Sequence, residues 1–111
     1  MPQFLILAME TKGMFAKYSG AEMRAIEKRY YAWTMSLGKK RVLQGGNQLI
    51  DRRFIEMKSK TQAVREAKAK EPSPGGYWLV KAKNMAEAVK LCEDCPHYDY
   101  GGAVQVLQGS R

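Results

Sequence analysis

The chain has one histidine and two cysteines among 111 residues, and these scarcities exclude a good deal. Two cysteines build no disulfide framework, and in a reducing compartment they need no partner. Cys92, Cys95 and His97 make three candidate zinc ligands, whereas a structural site takes four. No apolar run approaches the roughly 20 residues of a membrane span. A glycine-rich phosphate loop, a His-Glu-x-x-His helix and a serine elbow are all missing, and nothing implies a cofactor. Acidic residues are also short, with 11 Asp and Glu against 19 Lys and Arg, a net charge of +8. Such an excess either marks a solvated basic surface or helps the chain dwell near phosphates and acidic partners.

What is present is enough for one packed domain over residues 1–111. The hydrophobic fraction is 45%, with two tryptophans, which suits a globule with a single core. Residues 3–9 are apolar over the length of a strand and lack a basic leader. They read as the first strand rather than a signal peptide, with a cytoplasmic location by default. Residues 10–18 form a polar loop. Ser19-Gly20-Ala21-Glu22 is a capping box, and Met23, Ile26, Tyr30, Trp33 and Leu37 then step by three and four along one helical face. Gly38 is a natural stop.

Val42-Leu43-Gln44 opens a second strand, Gly45-Gly46 interrupts it with a bulge or a close backbone approach, and Gln48-Leu49-Ile50 resumes it. Phe54–Met57 is a third strand, and Gln62–Arg65 can return as a short hairpin strand within an otherwise polar, basic stretch over 58–74. Gly76–Ala82 is the strongest strand in the chain. Asn84 and Glu87 sit at N-cap and N3 of a second helix running to about Cys95, ended by Pro96. Gly101-Gly102 turns into a last strand, Ala103–Leu107. Strand, helix, strands, strand, helix, strand predicts an α+β domain of the ferredoxin-like βαββαβ type with an inserted β-hairpin. Its sheet has one uncovered face, which predicts a homodimer.

Several of these segments resemble the YCII-related domain family, in its DGPF branch. They are Phe4-Leu5-Ile6-Leu7, the helix from Glu22-Met23 through Tyr30 to Trp33, and Val42-Leu43-Gln44-Gly45-Gly46 with Leu49. The closest likeness lies in Gly75-Gly76-Tyr77-Trp78-Leu79-Val80, Asn84-Met85-Ala86-Glu87-Ala88, and Cys95-Pro96-His97 with Gly101-Gly102-Ala103-Val104-Gln105-Val106. The resemblance implies a dimeric α/β barrel in a small bacterial cytoplasmic protein. It further implies a suspected isomerase-like activity, or a link to sigma factors and transcription initiation. The namesake Asp-Gly-Pro-Phe is absent near Val64-Arg65-Glu66-Ala67. Glu27-Lys28-Arg29-Tyr30 stands where relatives carry a first-helix histidine, so a catalytic pair cannot be carried over.

Candidate chemistry therefore centres on His97, whose unperturbed pKa of about 6.5 suits proton transfer near neutrality. In an extended segment Asp99 would face the same way and orient the imidazole. Alternatively His97 caps the helix end and Asp99 starts the turn. Tyr31 and Tyr98 are candidate ligand contacts, and Arg53 a candidate clamp for a small anionic molecule. Tyr30 and Trp33 read as core packing. Cys92-Glu93-Asp94-Cys95 lies at a helix C-terminus beside acids, the wrong end for a reactive thiol. Three functions remain open. One is a small-molecule-binding or proton-transfer dimer. Another is a non-catalytic module touching nucleic acid or a sigma factor. The third is a structural dimer without ligand. None involves a membrane.

Overall fold

The computed structural model describes residues 1–58 and 61–110, without the side chains of residues 57, 58 and 61–63. Ser59 and Lys60, within the expected polar stretch, lie outside the described residues. The elements are β1 (Gln3–Glu10), α1 (Gly20–Lys39), β2 (Leu43–Gln48), β3 (Phe54–Lys58), β4 (Thr61–Arg65), β5 (Ser73–Lys81), α2 (Met85–Leu91), a 3₁₀ helix (Pro96–Tyr100) and β6 (Ala103–Gln108). The main sheet has the order β2-β5-β1-β6, and β3 and β4 form a separate two-stranded hairpin. Every pairing is antiparallel. This is the ferredoxin-like βαββαβ arrangement with the hairpin inserted between its halves.

Alternation in β1 and β5 builds the core. Phe4, Ile6 and Ala8 are buried, as are Trp78 and Val80 opposite them. They meet Trp33 and Leu37 of α1 and Ala88 of α2. The Trp33 and Trp78 rings meet edge-on with centroids 4.8 Å apart. Both indoles are satisfied: Trp33 Nε1 donates to Asp94 Oδ1 at 3.0 Å and Trp78 Nε1 to Thr34 Oγ1 at 2.9 Å. One bond ties α1 to the sheet and the other ties it to the segment after α2, which together hold the helix in one rotation.

The capping box forms as its sequence dictates, with both reciprocal Ser19–Glu22 bonds. Three boundaries differ. Helix α1 runs through Gly38 to Lys39, and the left-handed residue that ends it is Arg41, at φ 60°. The Val42 amide still reaches back to the Leu37 carbonyl, so the last turn closes on a non-glycine. Strand β5 begins at Ser73, three residues early, because a bulge between Ala8 and Met9 accommodates Pro74 and Gly75. Helix α2 stops at Leu91. Pro96 does not end it but starts the 3₁₀ helix, where its missing N–H costs no hydrogen bond.

Candidate functional site

The 3₁₀ helix places the histidine, and it changes what lies beside it. With three residues per turn, positions 97 and 99 do not share a face. Asp99 therefore turns away from His97 and pairs with Arg29 of α1, whose other guanidinium nitrogen donates to the Tyr100 hydroxyl at 2.6 Å. The expected His97–Asp99 pairing is not made. His97 is buried, with 1% of its surface exposed, and does not serve as a helix cap. Its Nε2 lies 2.6 Å from the Met9 carbonyl oxygen, and its Nδ1 lies 2.7 Å from the Tyr30 hydroxyl. A carbonyl only accepts, so Nε2 carries hydrogen. In the neutral ring Nδ1 then accepts from Tyr30.

Tyr30 is thus a polar partner of His97 as well as a packed ring. Its ring stacks on Tyr100 and meets His97 edge-on, each with centroids 6.0 Å apart. Tyr100 in turn contacts Phe15 and Tyr18 of the loop before α1. Burial pushes the Tyr30 hydroxyl well above its ordinary pKa, helped by negative charge at Cys95, Tyr100 and Glu10 and opposed by Arg29. Tyr30 consequently stays protonated across the physiological range.

Beyond the Tyr30 hydroxyl lies a cleft of about 860 Å³ between α1 and the β2–β5 side of the sheet. Its floor is low because Ala8 and Gly76 occupy positions where a helix-facing strand ordinarily carries a bulky side chain, and because Gly46 lies so close to the Tyr77 carbonyl that no side chain fits there. Tyr30, Tyr31 and Thr34 of α1 form one wall, Gln44, Asn47 and Gln48 of β2 the other, and His97 and Glu10 line it too. A volume of this size accommodates a small organic molecule.

Glu10 follows the carbonyl that holds His97. Its Oε1 accepts from Arg52 at 2.7 Å, with both side chains half-buried. A Cβ on Gly75 would collide with this carboxylate, so the glycine at the bulge is what lets the acid lie there.

Of the residues nominated from sequence, His97 and Tyr31 line the cleft. Tyr98 is 45% exposed and is not among the lining residues, nor is Arg53. Arg53 pairs with Asp51 at 2.5 Å and with Glu66 at 3.4 Å. Tyr30 and Glu10 were missed. Tyr30 sits on the apolar stripe of α1, where a phenol reads as core, and Glu10 closes a strand with no motif around it. Burial lifts the Cys92 and Cys95 thiols to about 11 each, and both are free. Among the described residues no group of three or more His, Cys, Asp or Glu is placed to hold a metal ion.

The fold and the cleft define a ferredoxin-like α+β domain with an open chamber between helix and sheet. No family model matches the chain, and no curated protein matches it in sequence. Among solved structures it is similar to 5-chloro-2-hydroxyhydroquinone dehydrochlorinase (TftG) from Burkholderia phenoliruptrix AC1100, in complex with 2,5-dihydroxybenzoquinone. The TM-score is 0.55 at 13% identity, over 100% of this chain and 95% of that one. At that identity the likeness is one of fold. No helix among the described residues is long and apolar enough to cross a membrane.

Proposed function

We propose that the protein binds a small organic molecule between α1 and the sheet and moves a proton on it through Tyr30 and His97. The observation that carries this reading is the Tyr30–His97 hydrogen bond at the wall of the 860 Å³ cleft. A ligand O–H or activated C–H gives its proton to the Tyr30 oxygen while the Tyr30 proton passes to His97 Nδ1. The imidazolium so formed keeps its Nε2–H bond to the Met9 carbonyl, and the reverse transfer returns the proton to another atom of the ligand. The raised pKa of Tyr30 suits a relay of this kind, in which no free tyrosinate accumulates. His97 acts from behind Tyr30, Asp99 supports the wall through Arg29 and Tyr100, and Tyr31 is a ligand contact. The fold neighbour, named for its action on a hydroxylated ring, makes an isomerase-like or elimination chemistry a reasonable class.

The test is a panel of hydroxylated quinones, lactones, small carboxylic acids and aromatic amines, followed by thermal shift and by solvent deuterium entering the ligand, read by NMR. At least one class should raise Tm. Tyr30→Phe should slow the exchange by about 10²–10⁴-fold while leaving binding within a few-fold. Exchange at the wild-type rate in Tyr30→Phe, or no binding by any class, would overturn the reading.

We further propose a YCII-related ancestry, a cytoplasmic location and a homodimer. The buried free cysteines accord with a reducing compartment. The face of the sheet away from the helices carries Leu5, Leu7, Tyr77 and Leu79, all half-buried, and Leu107, 43% exposed, a surface suited to a second copy. One observation favours a second reading, as a module touching nucleic acid or a sigma factor in transcription initiation. A separate cleft of about 470 Å³ is lined by Lys40, Lys81, Lys83 and Lys90, set among Glu87, Glu93 and Asp94, and none of the four lysines is in an ion pair among the described residues. DNA binding that falls steeply with added salt would support it.

A further inference from the structure

The charge around the main cleft runs against that of the chain. The protein has 19 Lys and Arg, yet neither type lines the cleft, whose charged side chains are Glu10 and Glu27. Four aromatic residues, Phe15, Tyr30, Tyr31 and Trp78, line it as well. Arg52 donates to Oε1 of Glu10 from outside the lining, while Oε2 has no hydrogen-bond partner among the described residues. Gly75 leaves the carboxylate room to lie there, since any side chain at that position would displace it. Glu10 and Tyr30 both line this cleft. A carboxylate oxygen, a phenol oxygen and aromatic walls thus share one chamber with no Lys or Arg in its lining, the one cation on its acids being Arg52, which pairs with Glu10 from outside.

We propose that this cleft takes a small organic cation, a protonated amine on a flat or apolar body, with the ammonium held between Glu10 Oε2 and the Tyr30 oxygen and the body against the aromatic walls. A carboxylate or phosphate would meet two acids in the lining, Glu27 and Glu10, with Arg52 alone beside them to offset the charge, so the anionic ligand expected from Arg53 is disfavoured here. A cation gains from the acid and from the negative faces of the rings together. The inference rests on the proposed small-molecule role of the same cleft and narrows it to one class of ligand.

Three near-isosteric probes separate the charges: benzylamine, benzyl alcohol and benzoate, titrated by calorimetry at neutral pH. Benzylamine should bind about tenfold more tightly than benzyl alcohol, and benzoate weakest of the three. Glu10→Gln keeps the shape and an oxygen for Arg52. It should remove the amine's advantage while leaving benzyl alcohol unchanged. Benzoate or benzyl alcohol binding as tightly as benzylamine would overturn the cation assignment and leave the cleft a binding site. So would an amine preference that survives in Glu10→Gln. Failure of all three probes at millimolar concentration overturns the assignment by itself. The proton relay then stands or falls separately on the deuterium exchange of Tyr30→Phe.

Discussion

A Cβ on Gly102 would fall 2.1 Å from His97 Nε2, a severe overlap, so the backbone there lies directly against the imidazole that Tyr30 and Met9 hold at 2.7 and 2.6 Å. The neighbouring Gly101 has a positive φ of 82° and open space around it. The two glycines answer different demands, one steric and one conformational. Gly102→Ala should push the ring off both partners. The expected cost is about 2–3 kcal/mol in urea unfolding, from overpacking and two broken bonds, with a shift of the His97 imidazole NMR signals. Gly101→Ala should cost about 1 kcal/mol from strain and leave those signals in place. Equal imidazole shifts in the two variants would contradict this division of roles. At this scale the sequence was half legible. A lone histidine before a glycine pair singled itself out, but its partners did not. Tyr30 is 67 residues away in sequence and Met9 contributes only a backbone carbonyl, and neither kind of contact leaves a local pattern.

The segment from α2 to the 3₁₀ helix is held by its two cysteines. Cys92 and Cys95 are 2% and 3% exposed and pack into the core cluster with Ala88. Burial is the first cause of their raised pKa values, about 11 against an ordinary 9. The sign follows from linkage. The folded state favours the neutral thiol, so its contribution is complete below about pH 9 and is lost as pH rises through about 11. Unfolding free energy should therefore fall by about 1–3 kcal/mol across that window. Cys92→Ala/Cys95→Ala should show a shallower decline over the same range, measured by urea titration at several pH values. An identical pH slope in the variant would show that other groups carry the effect. Both thiols should also resist alkylation at neutral pH until the protein unfolds. Among elements, those with local signals were readable: the capping box, the second helix's Asn84 cap, the β5 strand and the β3–β4 hairpin. The stop at Gly38 was not. The Val42–Leu37 bond and the burial of Leu37 carry α1 two residues further, to Lys39, so tertiary packing overrides the glycine. The extended reading of 96–100 failed for a related reason. Pro96 is as suited to the first turn of a 3₁₀ helix as to the end of an α-helix, and only the packing of buried Pro96 and His97 selects between them.

The whole molecule is flat, 46 × 40 × 18 Å, with a radius of gyration of 15.6 Å, against about 13 Å for a compact chain of this length. One sheet face carries both helices. The other carries the row Leu5, Leu79 and Leu107, in register across β1, β5 and β6, with Leu7 and Tyr77 beside it. The hairpin adds Ile55 opposite Val64, 61% and 63% exposed. A stable pair buries roughly 800 Å² per partner, and the apolar residues of the broad face and the arm are where a partner would find it. In the proposed homodimer a second copy would cover both at once, because a two-fold axis buries the same patch on each chain. Sedimentation equilibrium should give a mass near twice 12.6 kDa. Leu79→Glu, placed centrally in the row on β5, should shift the protein to monomer while the far-UV circular dichroism is kept, since Leu79 points away from the helix-side core. Leu107→Glu, on the edge strand β6, should weaken the pair less. A wild-type monomer over the whole accessible concentration range would mean that the face is covered by another partner or left wet. A dimer unaffected by Leu79→Glu would instead move the interface to the hairpin arm.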